Sequence, residues 1–366
     1  MKKRAVLLLC LTMAVGMLAG CFAQPVESGQ NNSSNPNSLT PVASLDQSKI
    51  SAEVIKGNTA FAFRLFQELN QEDQEDNIFI SPLSISTALA MTYQGAGSTT
   101  KEAMAKALGY SGIEDKKIND SYQNLIPYLS QLDDKVKLSI SNSVWVKEGE
   151  EIQPAFLQAN QEIFRAFVKT LDFEQAQAAD EINRWISEAT NKKIEKMIDS
   201  PIAPDIIMYL INAIYFKGDW AQQFDAQNTF ESKFQLENGN TDKVMMMSRK
   251  GKVEYGQGED YQVVRLPYGK GKAAMYCVLP SKGMSLSDFI ASLDADRWQA
   301  IKESIVERDE VLLQLPRFKL EYGIKNLNQS LTSLGMGEAF TAKADFSGIR
   351  QECLHQSGCC TRRSSR

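Results

Sequence analysis

Histidine is nearly absent from this chain of 366 residues, which contains a single one, His355, close to its carboxyl end. Imidazole is the usual general base of Ser-His-Asp and Cys-His nucleophile systems, and it is also the commonest metal ligand in proteins. The body of the chain therefore lacks the group on which most hydrolases and zinc enzymes depend. We predict a protein that is not an enzyme and that holds no metal or cofactor.

Cysteine is scarce too, and its six positions are unevenly distributed. Cys277 is alone in the body of the chain and lies in the apolar run 275–279, which predicts a small buried hydrophobic side chain. Cys353, Cys359 and Cys360 crowd the carboxyl terminus, where the adjacent Cys359-Cys360 pair lacks the CxxC spacing of zinc sites. We therefore predict no metal cluster in this tail.

A surplus of basic residues is also missing, since the formal net charge is −5 at pH 7. This balance gives no reason to expect a nucleic-acid partner. Beyond the amino terminus there are no apolar runs that approach the roughly 20 residues needed to span a bilayer. The hydrophobic content of 43% is ample for a large core.

The first 20 residues have the pattern of an export signal. Lys2-Lys3-Arg4 precedes the apolar stretch 5–18, which is too short for a comfortable membrane-spanning helix. Leu18-Ala19-Gly20-Cys21 resembles the lipobox of bacterial lipoproteins, which implies that Cys21 is the first mature residue and carries a lipid. We predict an exported protein of the bacterial cell envelope, anchored to the outer face of the membrane through Cys21. The alternative is a simple secretory signal cut near Ala23.

Residues 21–48 differ from the rest of the chain in being rich in Asn, Ser, Pro and Gln. Such a segment buries too little apolar surface to offset the entropy of ordering. We predict a flexible linker here, which tethers the following domain to the membrane.

The rest of the chain shows helical spacing first and strand patterns later. Apolar residues recur at helical spacing over 61–69 and 83–91, with Pro82 suited to a first helical turn. The pattern alternates over 138–146, with Leu138, Ile140, Val144 and Val146 on one face, and residues 206–216 are apolar almost throughout, as in a strand covered on both faces. Further strands are predicted at 262–266, 273–279 and 311–320, and a final helix at 326–334. Helices followed by strands predict an α+β fold.

Two short motifs could carry chemistry. Ser98-Thr99-Thr100-Lys101 matches the SxxK of penicillin-binding enzymes, but no SDN or KTG motif follows it, so an exposed helix start is the preferred interpretation. Met245-Met246-Met247 could offer soft metal ligands, but a core or sheet edge is preferred.

Several longer stretches, in order along the chain, resemble the serpin family of protease inhibitors. They are NIFISPLSI at 77–85, INRWI at 182–186, TNKKI at 190–194, LINAIYFKGDW at 210–220, PRFK at 316–319, LGM at 334–336 and ADFSGI at 344–349. The segment at 210–220 matches the family motif almost letter for letter, whereas Asn191-Lys192 departs from the usual glycine region. The ordered set covers roughly residues 50–349 and predicts a serpin-like domain over 49–349.

This resemblance implies a fold with large mixed and antiparallel sheets, and a monomer that acts without a catalytic residue. The partner is a serine protease, or a cysteine protease, which attacks an exposed reactive loop. That loop then inserts as an additional strand into the central sheet. The resemblance also implies mechanical roles for four residues: Ser81, Ser84 and Asn212 match the shutter beneath the strands that part, and Trp220 matches the aromatic residue of the breach where the loop enters. Ordinary core packing and a helix cap at Ser81 are the plain alternatives.

After Ile349 the resemblance fails. A serpin continues through a strand with His-Lys-Ala, a hinge and an Ala/Thr-rich loop, whereas residues 350–366 carry half of all the cysteines and four arginines without periodicity. We interpret 350–366 as an aberrant, out-of-frame tail and expect the domain to be incomplete at its carboxyl end. We therefore expect this chain to lack the reactive loop and to be inactive as an inhibitor.

Two functions remain open for the intact form. One is a protease inhibitor of the serpin family, and the other is a non-inhibitory cell-surface lipoprotein of the same fold. Small residues in the hinge would favour the first, and bulky or charged ones the second.

If residues 350–366 are out of frame, a frameshift lies shortly after the Ile349 codon, and this hypothesis makes a prediction about the DNA. Residues 360–366 can be encoded as TGC ACA AGG CGT TCG TCG AGG, which, read from the last base of its first codon, gives CAC AAG GCG TTC GTC GAG. That frame encodes His-Lys-Ala-Phe-Val-Glu, the continuation expected of a serpin. Sequencing the gene from the Ile349 codon past the present stop should show these or equivalent codons, and codons incompatible with this set would refute the hypothesis.

Overall fold

Helices precede strands along most of this chain, as the sequence predicts. The computed structural model describes residues 4–7, 46–73, 77–320 and 322–351. A short 3₁₀ helix, Gln47–Lys49, opens the domain and takes in the last residues of the predicted linker. The α-helices are α1 (Ala52–Glu72), α2 (Pro82–Tyr93), α3 (Ser98–Leu108), α4 (Asp115–Ser130), α5 (Pro154–Phe164), α6 (Ala176–Ala189), α7 (Leu286–Ala291), α8 (Ala295–Glu303) and α9 (Asn328–Leu331).

The strands form two sheets. They are β1 (Arg4–Leu7), β2 (Val136–Lys147), β3 (Phe167–Leu171), β4 (Ile206–Gly218), β5 (Thr229–Gln235), β6 (Thr241–Gln257), β7 (Tyr261–Tyr268), β8 (Ala273–Pro280) and β9 (Val306–Pro316). The first sheet has the order β1-β4-β2-β3 and is mixed. β1 pairs in parallel with β4 and β3 pairs in parallel with β2, whereas β2 and β4 pair antiparallel. The second sheet, β5-β6-β7-β8 with β9 also on β6, is antiparallel throughout. The predicted α+β class with mixed and antiparallel sheets is confirmed.

The central pair β2–β4 is covered on both faces, because successive strand residues point in opposite directions. Val144, Val146, Met208 and Leu210 face a large apolar core built with helices α1 to α5. Their neighbours Trp145, Tyr209, Ile211 and Ala213 face a second core that is closed by α6. This double burial explains why residues 206–216 are apolar almost throughout.

Two predicted boundaries near the carboxyl end differ from the structure. The strand predicted at 311–320 is β9, which begins at Val306 and ends at Pro316, a residue without an N–H to continue the ladder. Val306 is exposed and residues 307–310 are all charged and exposed, so this end of β9 lacks an apolar alternation. It pairs with β6, supported by an ion pair of Lys252 with Glu307 at 2.8 Å. The helix predicted at 326–334 is split into α9, a π-helical turn Thr332–Met336 and a 3₁₀ helix Gly337–Phe340, with Gly335 at φ 100°.

A polar cluster ties the segment before α9 to the end of α1. Lys325 Nζ lies 2.6 Å from a carboxylate oxygen of Asp73 and 3.2 Å from one of Glu72, while the hydroxyls of Tyr322 and Ser330 donate to Asp73 and Glu72. The hydrogen bond from Lys325 is the main cause that lowers the pKa of Asp73 below its ordinary value. These contacts hold residues 322–330 against α1, although residues 317–327 belong to no strand of the described chain.

Cys277 and the methionine run behave as packing residues. Cys277 lies half-buried in β8 as a free thiol, and burial raises its pKa to about 11. In β6, Met247 is buried, whereas Met245, two residues earlier on the same side of the strand, is exposed. Helices of the described chain are all too short or too polar to cross a bilayer.

Candidate functional site

The centre of the first sheet holds two asparagines that face each other. Asn142 and Asn212 occupy directly opposed positions of the antiparallel pair β2–β4. By strand alternation both point to the face of Val144 and Leu210, where the core is otherwise apolar. Both are almost fully buried. A buried amide requires hydrogen-bond partners, so this position is specified by polar contacts.

Those partners form a continuous chain from α2 to the end of α5. The Ser84 hydroxyl of α2 donates to Oδ1 of Asn212, and Nδ2 of Asn212 donates to Oδ1 of Asn142 at 2.7 Å. Nδ2 of Asn142 in turn donates to the backbone carbonyl of Phe164 at 2.7 Å. We call Ser84, Asn212 and Asn142 the polar bridge. Through three short side chains, it links α2 to the strands β4 and β2 and to the backbone at the end of α5.

Ser81 has a different place in this arrangement. It is the N-cap of α2, where its hydroxyl accepts a hydrogen bond from the Ser84 backbone N–H at 3.4 Å and Pro82 occupies the first helical turn. The structure thus brings Ser84 and Asn212 together, while Ser81 fixes the helix turn that aims Ser84 at the sheet.

Asn142 was not predicted from the sequence as a site residue, although the sequence carries a signal for it. The alternation Leu138, Ile140, Val144, Val146 passes through residue 142 on the same face. An asparagine that interrupts a buried apolar face must find a polar partner. Only the register of β2 against β4 shows that this partner is Asn212.

Trp220 lies in a separate aromatic cluster just beyond β4. Its ring stacks on Tyr268 with centroids 4.5 Å apart, and Phe216 contacts the same tyrosine edge-on at 5.1 Å. Backbone hydrogen bonds from Ala221 to Pro267 and from Gly269 to Asp219 fix this corner between β4 and β7. Burial raises the pKa of Tyr268 to about 12, so its hydroxyl stays neutral. Trp220 is therefore placed at the junction of the two sheets.

The outer edge of β4 is only partly covered. β1, which lies in the leader predicted to be removed before Cys21, pairs with it from Ile206 to Leu210, and the edge of 211–218 has no strand partner in the described chain. Asn212 lies within this part of the edge. An uncovered strand edge can accept another strand.

The residues of the SxxK motif do not form a catalytic pair. Lys101 of the SxxK motif pairs with Asp115 at 2.5 Å, while the Ser98 hydroxyl donates to Asp345, so the two do not activate each other. Within the described residues, no three His, Cys, Asp or Glu side chains come close enough to hold a metal ion. Cys21, His355 and the tail cysteines lie outside the described residues.

The sequence matches the model of one protein family, Serpin (serine protease inhibitor), over residues 56–360. The chain belongs to the serpin family. A curated serpin relative, a leukocyte elastase inhibitor of Bos taurus, is 35% identical over 303 residues, which cover 80% of this chain and 79% of that protein. A serpin-like protein of Thermococcus kodakarensis is 32% identical and covers 95% of this chain and 82% of its own length.

Solved serpin structures share the fold. Ovalbumin from emu has a TM-score of 0.78 at 26% identity and covers 82% of each chain. The thermophilic serpin tengpin in its native state has a TM-score of 0.74 at 32% identity and covers 82% of this chain and 76% of its own. The predicted family is therefore confirmed, and serpins as a family inhibit proteases.

We predict that the polar bridge of this serpin is energetically coupled. Asn212→Ala should lower the free energy of unfolding by about 3 kcal/mol, because it leaves the Ser84 hydroxyl and the Asn142 amide buried without their partner. The double variant with Asn142→Ala should lose less than the sum of the two single variants, by about 1 to 2 kcal/mol. Urea unfolding followed by tryptophan fluorescence measures all four forms.

Asn183 offers a matched control. It also makes three hydrogen bonds, to the backbone of Met197 and Ile198, but it lies on α6 and shares no partner with the bridge. Asn183→Ala and Asn212→Ala should add within about 0.5 kcal/mol. Strict additivity of the Asn142 and Asn212 variants would contradict the coupled bridge.

Proposed function

We propose that this serpin, in a form whose chain continues in frame past residue 349 into a reactive loop, inhibits a serine protease by inserting that loop beside β4. The observation that carries the proposal is the uncovered edge of β4 from 211 to 218, in a sheet whose faces are both buried. A strand that enters there gains main-chain hydrogen bonds along the edge.

The polar bridge supports the same proposal. Asn212 lies within this uncovered edge and is held by the Ser84 hydroxyl of α2 and by Asn142 of the neighbouring strand β2. We propose that β4 also shifts against α2 when a strand enters. Short hydroxyl and amide groups can exchange partners during such a shift, whereas interlocked apolar side chains would have to repack. We propose that Ser81, Ser84 and Asn212 act as the shutter in this way, and that Trp220, at the junction of the sheets, marks the breach where the loop first enters.

A serine protease is the proposed class of target. Relatives from cattle, rat, mouse and frog are named leukocyte elastase inhibitors, at 32% to 35% identity. Ser98 and Lys101 of the SxxK motif bond to other residues, and the described residues bring together no three His, Cys, Asp or Glu side chains for a metal ion, so we propose that the protein is not itself an enzyme. Residues 350–366 carry neither a small-residue hinge nor an Ala/Thr-rich loop, so we propose that the 366-residue chain is inactive.

We predict that the two forms behave differently toward leukocyte elastase. The chain with the restored frame should abolish elastase activity at an equimolar ratio and form a complex that survives SDS, because the acylated protease is trapped. The 366-residue chain should leave the activity unchanged. Residual activity and gel electrophoresis measure both effects.

Elastase whose nucleophilic serine has been replaced by alanine is the control and should give no SDS-stable complex. A stable complex with the 366-residue chain would contradict its inactivity. Cleavage of the restored form without complex formation, by elastase and by trypsin alike, would contradict inhibition and favour the non-inhibitory lipoprotein of serpin fold.

We further propose that Cys21 carries a lipid and anchors the protein to the outer face of the bacterial envelope. The support is the motif Leu18-Ala19-Gly20-Cys21 directly after an apolar stretch. Bacteria that express the protein should incorporate labelled palmitate into it and retain it in the membrane fraction.

Cys21→Ser should lose both the label and the membrane association, whereas Cys277→Ser, which alters a half-buried core thiol, should keep them. A mature amino terminus near Ala23 without lipid would contradict the anchor.

A further inference from the structure

Strand β5 is the outer strand of the second sheet, and its outer edge is free. It pairs with β6 on one side, and its other side has no strand partner in the described chain. The register with β6 runs from Thr229 to Gln235 without a bulge, and the strand contains no proline. Natural sheets often interrupt a free edge with a bulge or a proline, because a regular edge can accept a further strand. β5 has neither device.

The main-chain groups that face this free edge can be identified from two hydrogen bonds. The Leu236 N–H donates to the Asn240 carbonyl, so every second residue back from Leu236 turns its main chain toward β6. The Arg317 N–H donates to the Met245 carbonyl, which therefore points away from β5, and Met245 is the register partner of Glu231. Both observations agree that residues 229, 231, 233 and 235 turn their N–H and carbonyl groups to the free edge.

The sequence of β5 is complementary to a second copy of itself. In an antiparallel pair with its two-fold axis at Ser232, residues that face outward oppose one another, as a ladder of hydrogen bonds requires. Glu231 of each copy then lies opposite Lys233 of the other. Opposite charges at directly opposed positions stabilise a strand pair, and like charges destabilise it. An axis shifted by one residue would instead place Glu231 or Lys233 against itself.

Within one copy, Lys233 lacks an acidic partner. It lies directly opposite Lys243 of β6, which is a pair of like charges. The nearby carboxylate of Glu231 binds Lys243 at 2.8 Å, and Lys233 forms no ion pair with the residues that the structure describes. Glu231 and Lys233 are both exposed. Because a carboxylate has two oxygens, Glu231 can bind Lys243 of its own copy and Lys233 of the other at the same time.

We propose that two copies of this chain pair antiparallel through β5, around a two-fold axis at Ser232. The assembly stops at a dimer, because a two-fold axis uses the same edge of both copies. About eight main-chain hydrogen bonds form, two for each opposed pair of outward-facing residues. The family resemblance implies a monomer, and an edge of seven residues is a small interface. We therefore expect a weak dimer, with a dissociation constant of about 10 to 100 µM.

Sedimentation equilibrium of the full chain, over concentrations that bracket this constant, tests the dimer. Lys233→Glu should weaken self-association at least about tenfold, because it sets a carboxylate against Glu231 of the other copy at two places. Glu231→Lys should have the same effect through two pairs of lysines. Lys250→Glu is the matched control, since it makes the same charge change at an exposed lysine of the same sheet, and it should leave the constant unchanged.

Complementation between the two variants tests the register. An equimolar mixture of Glu231→Lys and Lys233→Glu should form a heterodimer about as stable as the parent dimer, because lysines on one strand then oppose carboxylates on the other. The double variant Glu231→Lys/Lys233→Glu should regain self-association. Hydrogen–deuterium exchange should show slower exchange of residues 229–235 at high concentration in the parent, but not in Lys233→Glu.

Three outcomes would overturn the proposal. One is a parent chain that stays monomeric over the whole concentration range. Another is self-association that Lys233→Glu leaves unchanged, whether as a dimer or as a larger aggregate, because the contact would then lie elsewhere on the molecule. The third is a mixture of the two single variants that forms no more dimer than either variant alone.

Discussion

The hydrogen bond between Asn142 and Asn212 is the contact around which this molecule is organised. It joins the two central strands at a point where both faces of the sheet are buried and both amides are almost fully excluded from solvent. Ser84 and the Phe164 carbonyl complete the chain of hydrogen bonds. The polar bridge therefore connects α2, β4, β2 and α5 through an otherwise apolar core. A polar group of the bridge that lost its hydrogen-bond partner would lower the free energy of unfolding. The register of β2 against β4, which sets these partners, is therefore strongly specified.

The same polar bridge would let the sheet change during the proposed strand insertion. Apolar cores are close-packed and resist sliding, whereas short polar groups can move from one partner to another. In this serpin Asn212 of the bridge lies on the part of the β4 edge, residues 211–218, that has no strand partner in the described chain. The proposed strand insertion and the cost of disturbing the bridge thus depend on the same few atoms.

Two surfaces of the described chain are left uncovered in addition to the edge of β5. The edge of β4 presents main-chain donors and acceptors, and an apolar cavity of about 710 Å³, lined by residues of α1, α2 and α4 and by Trp298, presents apolar side chains. A folded protein normally covers both kinds of group. A strand pairs with such an edge through main-chain hydrogen bonds, whereas the cavity offers mainly apolar contacts.

The sequence alone was sufficient for the family, the α+β class and the main helices and strands, because ordered motifs and apolar periodicity are local properties. It also indicated Ser84 and Asn212, although as matches to a family motif and not as a contact. Tertiary structure decided the rest. The partnership of Asn142 depends on register across 70 residues, the early start of β9 depends on pairing with β6, and the free edge of β5 is visible only once the order of the strands is known. Each is a relation between distant segments, which no local pattern encodes.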